Sequence, residues 1–268
     1  MTTTKHSAGG APGDRHRSAL AGMPPDQWDT YLRTCSGLPG PRANLELAQT
    51  AADLGEERAF RRWLASDDEF LALCGAIGIG RLIADGRGHL WPLLRAAADD
   101  PRWRVREAVA MGLQRVGDAS TEELLEEIEV WVDGSPLLRR AAVAGIAEPR
   151  LLGDRATVRQ ALMLVERITR TLLHEPDRRD PRVQTLRQAL GYCWSVVVSA
   201  DPDHGLPAFM RLEATDDPDA RWITRENRRK KRLQAAMTKA ASEPSAAIGR
   251  KVTAAPGRPP DSRGSRRP

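Results

Sequence analysis

Aromatic residues are scarce in this chain. Phe, Trp and Tyr together make up 4% of its 268 residues, with three Phe and two Tyr. Sandwiches and barrels draw their cores from alternating Val, Ile, Thr and aromatic residues, so the composition argues against both. Ala, Leu and Arg dominate instead, which favours closely packed helices. The length suffices for one sizeable domain or for an array of repeats.

Long apolar runs and paired cysteines are also missing. No stretch approaches the roughly 18–20 apolar residues of a membrane span. The N-terminal stretch MTTTKHSAGGAPGDRHRSA lacks the apolar segment of a secretory signal. Cys35, Cys74 and Cys193 are odd in number, widely spaced and set in helical patterns, which indicates core residues in a reducing compartment. We therefore expect a cytoplasmic protein that does not contact membranes.

Positive charge is concentrated at one end of the chain, although the formal net charge is only +5. Residues 221–232 contain seven Lys or Arg and one Glu, and residues 239–268 contain seven Lys or Arg and two acidic residues. The body of the chain, residues 1–220, is therefore mildly acidic. The basic end is suited to DNA or another polyanion, whereas a wholly basic groove is not indicated.

The chain divides into a helical body and two tails. Residues 1–23 and 239–268 are rich in Gly, Ser, Ala or Pro and lack apolar periodicity, so we expect both to be disordered. Residues 24–238 alternate helical apolar patterns with turns of Pro, Gly and Asp, and the last predicted helix covers 220–237. Short loops force antiparallel neighbours, so we expect about six helix pairs.

The second helices of several pairs share one motif. VREAVAMGL at 105–113 aligns with LRRAAVAGI at 138–146, an offset of 33 residues. LRQALGYCW at 186–194 and TREN at 224–227 fit the same frame. One arginine recurs at the same position of each copy, and the four copies are Arg106, Arg139, Arg187 and Arg225. A recurrence of this kind is typical of helical repeat arrays.

An apolar helix, an Asp-Pro or Asp-Asp turn and then Val-Arg-x-Ala resembles the HEAT repeat, and residues 99–118 are its cleanest copy. The resemblance covers residues 24–238. It implies an all-α, right-handed α-solenoid of the armadillo type, with the second helices lining a concave face. It also implies that the recurring arginine bonds acidic turn residues of a neighbouring repeat. Glu46 and Ala72 stand in place of that arginine in the first two pairs.

Two stretches are similar to the bacterial alkylpurine DNA glycosylases, which are built from HEAT-like repeats. They are LRRAAVAGIAEPRLL at 138–152 and RWITRENRRKKRL at 221–233. A glycosylase of this type needs a carboxylate to stabilise a cationic sugar and aromatic residues to pack against the lesion. The resemblance therefore keeps DNA alkylation repair open as an alternative to protein binding.

Two tryptophans each share a helix face with a glutamate four residues later. Trp103 precedes Glu107, and Trp222 precedes Glu226. Three repeats separate the two sets, a distance of roughly 30 Å, so they do not form one acid/base pair. We predict no catalytic residue. The structural alternative for both tryptophans is a wedge between adjacent repeats.

The candidate binding residues form two groups. We expect the concave face to bind its partner through Trp103, Arg106, Glu107, Arg139, Arg187, Trp222, Arg225 and Glu226. We expect phosphate or polyanion contact through Arg221, Arg228, Arg229, Lys230, Lys231 and Arg232. The alternative for the second group is a solvated terminal cap, since terminal repeats need a polar outer face and the dipole favours cations in a last helical turn.

These patterns favour a monomeric HEAT-repeat scaffold or adaptor that recognises a protein partner through its concave face, without catalysis. The alternative is a DNA-binding protein of the HEAT-like alkylation repair type that acts through the basic C-terminal end. The five histidines are scattered and lack metal-ligand spacing, so we expect neither a metal nor another cofactor.

Overall fold

A computed structural model describes residues 12–242 of the chain. This part of the chain contains fourteen α-helices, three single-turn 3-10 helices and no strand, which confirms the predicted all-α class. The α-helices are α1 (Pro12–Gly22), α2 (Trp28–Thr34), α3 (Leu45–Leu54), α4 (Glu57–Leu64), α5 (Glu69–Ala84), α6 (Trp91–Ala97), α7 (Trp103–Ala119), α8 (Thr121–Trp131), α9 (Pro136–Ile146), α10 (Arg155–Leu173), α11 (Pro181–Ala200), α12 (Pro202–Glu213), α13 (Pro218–Arg228) and α14 (Lys231–Ser242). None of the helices within 12–242 has the length and apolar character needed to cross a bilayer.

The helices pack in two rows. Helices α3, α5, α7, α9, α11 and α13 lie side by side in chain order, each against the next, and form the stacked row. The alternate helices α2, α4, α6, α8, α10 and α12 form the flanking row. Each of them packs on helices of the stacked row close to it in the chain, as α8 does on α7 and α9. The apolar stripes of both rows meet in one continuous core.

Capping side chains fix where many of these helices begin. Asp68 accepts a hydrogen bond from the backbone N–H of Leu71 at 2.9 Å at the start of α5. Asp180 accepts one from a backbone N–H of α11 at 2.7 Å. Ser120 and Ser135 cap α8 and α9 in the same way. The first N–H groups of a helix have no partner within it, so such caps in polar turns locate the helix starts.

Large side chains fill the core, and small residues allow its closest contact. Trp63, Trp131 and Trp194 are at most 1% exposed and belong to the core. Helices α5 and α7 meet where Gly80 faces Gly112. A Cβ atom on Gly80 would lie 2.3 Å from the Cα atom of Gly112, so the two backbones touch. No larger residue fits at this crossing without separating the helices.

The first helix differs from the sequence prediction. Pro12–Gly22 forms α1, although the composition of residues 1–23 predicts no secondary structure. Leu20 is 1% exposed, and the His16 ring hydrogen-bonds the Tyr31 hydroxyl at 2.8 Å. These contacts join residues far apart in the chain and leave no periodic signal in such a short segment. Residues 239–242, which the sequence analysis assigns to the disordered tail, are instead the end of α14. The predicted disorder of residues 1–11 and 243–268 lies outside the described range.

The segment predicted as one helix over 220–237 is two helices, α13 and α14. Asn227 is fully buried near the end of α13. Its side-chain amide donates to the Leu190 carbonyl oxygen and its Oδ1 accepts from the Ser195 N–H, both at 2.8 Å. This amide anchors α13 on α11, and the chain then turns so that α14 also packs on α11. Lys230, Lys231 and Arg232 therefore stand at the beginning of a helix.

Candidate binding groove

Three hollows lie along the stacked row, and we call them together the groove. The middle one is a hollow of about 420 Å³ between α7, α9 and α11. Residues of these helices at three- and four-residue intervals share a face, and the hollow collects such faces from all three. Its principal side chains are Glu107, Met111, Gln114, Arg140, Gln188 and Tyr192. We call this space the central hollow.

An ion pair crosses the wall of the central hollow. Arg140 on α9 pairs with Glu107 on α7 and donates to the Arg106 carbonyl oxygen at 3.0 Å. The Arg140 side chain is 9% exposed and that of Glu107 is 44% exposed. The buried arginine thus holds the carboxylate in place and neutralises its charge.

A second hollow, also of about 420 Å³, adjoins the first toward α3 and α5. The two hollows share Met111 and Gln114, and we call the second the N-terminal hollow. Three arginines line it, Arg81, Arg115 and Arg150. Each of them pairs with an aspartate carboxylate at 2.6 to 2.7 Å. The positive charge in this part of the groove is therefore already neutralised.

A third hollow, of about 480 Å³, lies toward the end of α11, and we call it the C-terminal hollow. Its walls include Pro149, Leu152, Val196 and Arg232. Val196 follows Tyr192 by four residues on α11, so both stand on the same helix face. The groove thus continues along α11 past Tyr192.

Tyr192 stands between the central and C-terminal hollows and is 42% exposed. Arg232 donates to its hydroxyl at 2.8 Å, and the guanidinium carbon lies 5.0 Å from the ring centroid. The Lys230 ammonium lies 5.6 Å from the same centroid. Both distances are typical of cation–π contacts. Two cations of the basic C-terminal stretch therefore reach the groove.

Three of the four recurring arginines lie at turns. Arg106 donates to two carbonyl oxygens of the turn before α7 at 2.7 and 2.8 Å. Arg139 pairs with Glu175, and Arg187 pairs with Asp219 at 2.8 Å. Both acids belong to the loop or first turn of the next helix pair. The contacts of Arg139 and Arg187 join successive pairs, whereas those of Arg106 stay within its own pair, and all three guanidinium groups have little freedom to hold a ligand.

The two Trp–Glu sets do not meet in the groove. Glu107 lines the central hollow, but neither Trp103 nor Trp222 does. Trp103 is 53% exposed at the start of α7. Trp222 is half-buried, and its ring would lie 2.8 Å from a Cβ atom on Gly191 of α11, so it is wedged between helices. Of the four residues in the two Trp–Glu sets, only Glu107 thus lines the central hollow.

The basic residues near the C-terminal end fall into three states. Three of them pair with a carboxylate at 2.5 to 2.9 Å: Arg221, Arg228 and Arg229. Three have no carboxylate partner within residues 12–242: Lys230, Lys231 and Arg232. Arg225 is exposed and lies 3.8 Å from the Glu226 carboxylate, which it shares with Arg229.

Sequence reasoning did not single out several residues of the groove. Arg140 and Gln188 occupy the repeat position of Glu107, and Tyr192 occupies that of Met111. The alignment that identified the recurring arginine therefore contained the signal. The residue directly after the recurring arginine, and the residue four positions after that one, supply the side chains at the centre of the groove.

The groups in the central hollow are suited to hydrogen bonding and apolar contact. The carboxylate of Glu107 is paired with Arg140. Burial raises the pKa of the Cys193 thiol to about 12, so this thiol stays protonated at neutral pH and is a poor nucleophile. No group of three or more His, Cys, Asp or Glu with metal-binding geometry occurs between residues 12 and 242.

Comparison with known proteins adds little to this description. No family model matches the chain, and no curated protein matches it. One similar solved structure is an engineered protein, Northeast Structural Genomics Consortium target OR329. The two chains are 14% identical, the match covers 78% of this chain and 97% of that one, and the TM-score is 0.30. A similarity this low indicates neither a shared fold nor a shared function.

Proposed function

We propose that this protein is a non-catalytic binding scaffold that holds an extended segment of a partner protein in its groove. The proposal includes a right-handed α-solenoid of HEAT-like, armadillo-type helix pairs, about six in number. The observation that carries it is the series of hollows along the stacked row, of which two share lining residues and the third is linked to them by the contact of Arg232 with Tyr192. Hollows in a row accommodate an elongated ligand better than a compact one.

The side chains of the groove support a polypeptide ligand. Gln114 and Gln188 carry amide groups that can donate to and accept from the backbone of an extended chain. Met111 and Tyr192 offer adaptable apolar contact for its side chains. Duplex DNA is a poorer fit to the N-terminal and central hollows, because their arginines already meet carboxylates instead of standing free for phosphates.

A monomeric protein of the cytoplasm is part of the same proposal. Cys74 and Cys193 are buried and unpaired, and thiols persist in that state in reducing compartments. Sedimentation of the purified chain at several concentrations tests the monomer, since a dimer shifts with dilution.

Selection of short random peptides displayed on phage or yeast tests the scaffold function. We expect enriched sequences that bind the wild-type protein and bind the variant Met111→Glu at least about tenfold more weakly, because an unpaired carboxylate enters the centre of the groove. The matched control is Met163→Glu, since Met163 is 68% exposed on the flanking helix α10. Circular dichroism establishes that both variants are folded. Absence of any enriched peptide, or equal loss in both variants, contradicts the proposal.

A second candidate function is DNA binding of the HEAT-like alkylation repair type, and one observation favours it. Lys230, Lys231 and Arg232 carry charges that no carboxylate within residues 12–242 neutralises. Fluorescence anisotropy with a labelled duplex tests this candidate. Affinity that falls steeply between roughly 50 and 200 mM salt supports it, and no binding at the lower salt concentration rules it out.

A further inference from the structure

The three unpaired cations stand where folding energetics does not favour them. Lys231 is the first residue of α14, and Lys230 and Arg232 flank it. The dipole of a helix places partial positive charge at this end, which disfavours cations and favours anions. Arg225 and Arg228 instead stand in the last turn of α13, where the dipole favours them. Helix stability therefore accounts for Arg225 and Arg228 but not for the cations that begin α14.

Two of these cations converge on one point of the groove. Arg232 donates to the Tyr192 hydroxyl through one nitrogen, which leaves its other guanidinium donors available. The Lys230 ammonium lies over the same ring. A carboxylate placed at the edge of Tyr192 would therefore meet two positive charges. Because the ring and the groove wall exclude part of the solvent, those charges would be screened less than on an open surface.

An apolar space adjoins that point. Arg232 itself lines the C-terminal hollow, whose other walls include Pro149, Leu152 and Val196. The volume of about 480 Å³ is sufficient for a large aliphatic or aromatic side chain. Positive charge and apolar surface thus lie side by side along α11. A phosphate backbone would satisfy the charge but would leave the apolar walls uncovered.

We propose that the partner segment carries an acidic residue and, close to it in sequence, a bulky apolar residue. The carboxylate binds Arg232 and Lys230 beside Tyr192, and the apolar side chain enters the C-terminal hollow. This inference rests on the proposed peptide-binding function and adds to it the chemistry of the ligand and the position at which that chemistry is recognised.

Four displayed pools of short random peptides test the inference. One pool fixes Asp and Leu, separated by one to three random residues, and the others replace Asp with Asn, Leu with Ser, or both. We expect the Asp–Leu pool to be enriched about tenfold over the Asn–Leu pool at roughly 0.15 M salt, the size expected for a charge-assisted contact. The Asp–Ser pool should also be enriched less than the Asp–Leu pool, because it leaves the C-terminal hollow empty.

Variants locate the contact. Arg232→Gln should reduce the preference for Asp over Asn, since only Lys230 then meets the carboxylate, and should keep the preference for Leu over Ser. Arg159→Gln is the matched control, since Arg159 is exposed on the flanking helix α10 and its loss changes the net charge equally. The control should keep both preferences, and melting curves should show that both variants are folded.

The possible results separate this inference from the function it rests on. If peptides bind but Asp and Asn pools are enriched equally, the inference is wrong and the scaffold function stands. If Arg159→Gln reduces the preference for Asp as much as Arg232→Gln does, that preference reflects general electrostatic attraction to the protein's positive charge. The inference is then also wrong. If no pool is enriched, both proposals fail. Displacement of bound peptides by duplex DNA, lost in Arg232→Gln, would assign the cations to nucleic acid.

Discussion

Arg139 and Arg225 occupy the same position of the repeated motif but lie in opposite environments. Arg139 is 8% exposed and pairs with Glu175. The Arg225 side chain is 61% exposed, and its nearest carboxylate, on Glu226, is 3.8 Å away. Arg187 pairs with Asp219 as Arg139 does with Glu175, whereas the cations that begin α14 have no carboxylate partner within residues 12–242. A residue type at a repeat position does not by itself determine a role, because the adjacent helix pair decides whether the charge is buried and paired.

The difference has a simple structural cause. Arg139 and Arg187 each reach the acidic loop or first turn of the following helix pair. After α13 the chain enters α14, which packs on α11 and α12 and presents no such turn to Arg225. The motif continues in the sequence to its fourth copy, but within residues 12–242 the arginine of that copy meets only the Glu226 carboxylate of its own helix, at 3.8 Å.

Removal of a turn arginine should have the largest effect. Arg139→Ala leaves the Glu175 carboxylate largely buried without its partner, so we expect the free energy of unfolding to fall by about 3 kcal/mol. The matched variant Arg225→Ala should change it by less than about 0.5 kcal/mol. Urea denaturation measures both values. Similar losses in the two variants would mean that burial does not distinguish the two arginines.

Acid should affect the turns more than the terminal region. Burial alone would raise the pKa of Asp100, but hydrogen bonds from Arg102 and the charges of Arg102 and Arg106 lower it below its ordinary value. A lowered pKa stabilises the fold above the ordinary pKa of Asp, and this contribution disappears as pH falls through the lowered value. We therefore expect Asp100→Asn to cost about 2 kcal/mol at pH 7 and progressively less below about pH 4.

Denaturation curves collected from neutral to acidic pH test this dependence. Asp216→Asn is the control, because the Asp216 side chain is 94% exposed beside Arg221. The control should differ from the wild type by less than about 0.5 kcal/mol throughout. A cost of Asp100→Asn that stays constant with pH would show that its carboxylate charge does not stabilise the turn.

The smallest expected effect is on stability, from charge substitutions at the start of α14 and the end of α13. Lys231→Glu places an anion in the first turn of α14, so we expect a stabilisation of about 0.5 kcal/mol. Arg225→Glu places an anion in the last turn of α13 and should destabilise by a similar amount. Thermal melts at low salt detect both shifts. If both substitutions change stability in the same direction, the dipole argument for the unpaired cations is incorrect.

Much of the fold could be predicted from local patterns. The Asp and Ser residues that cap helices α5, α8, α9 and α11 lie in the polar turns between the apolar helical patterns. Gly80 of α5 allows the close contact with Gly112 of α7. The prediction was wrong at α1 and at the break between α13 and α14. In both places a buried polar side chain, His16 or Asn227, acts on residues distant in the chain.

The sequence by itself determined the helices, their turns and their apolar faces, because caps and periodicity act within a few residues. Only the tertiary structure decided which charges are paired and where the groove lies. Glu107 and Arg140 are 33 residues apart, and Tyr192 and Arg232 are 40 apart. No pattern among residues close in sequence predicts either contact, since each depends on how neighbouring helices align. The same stacking buries Arg139 and leaves Lys231 exposed.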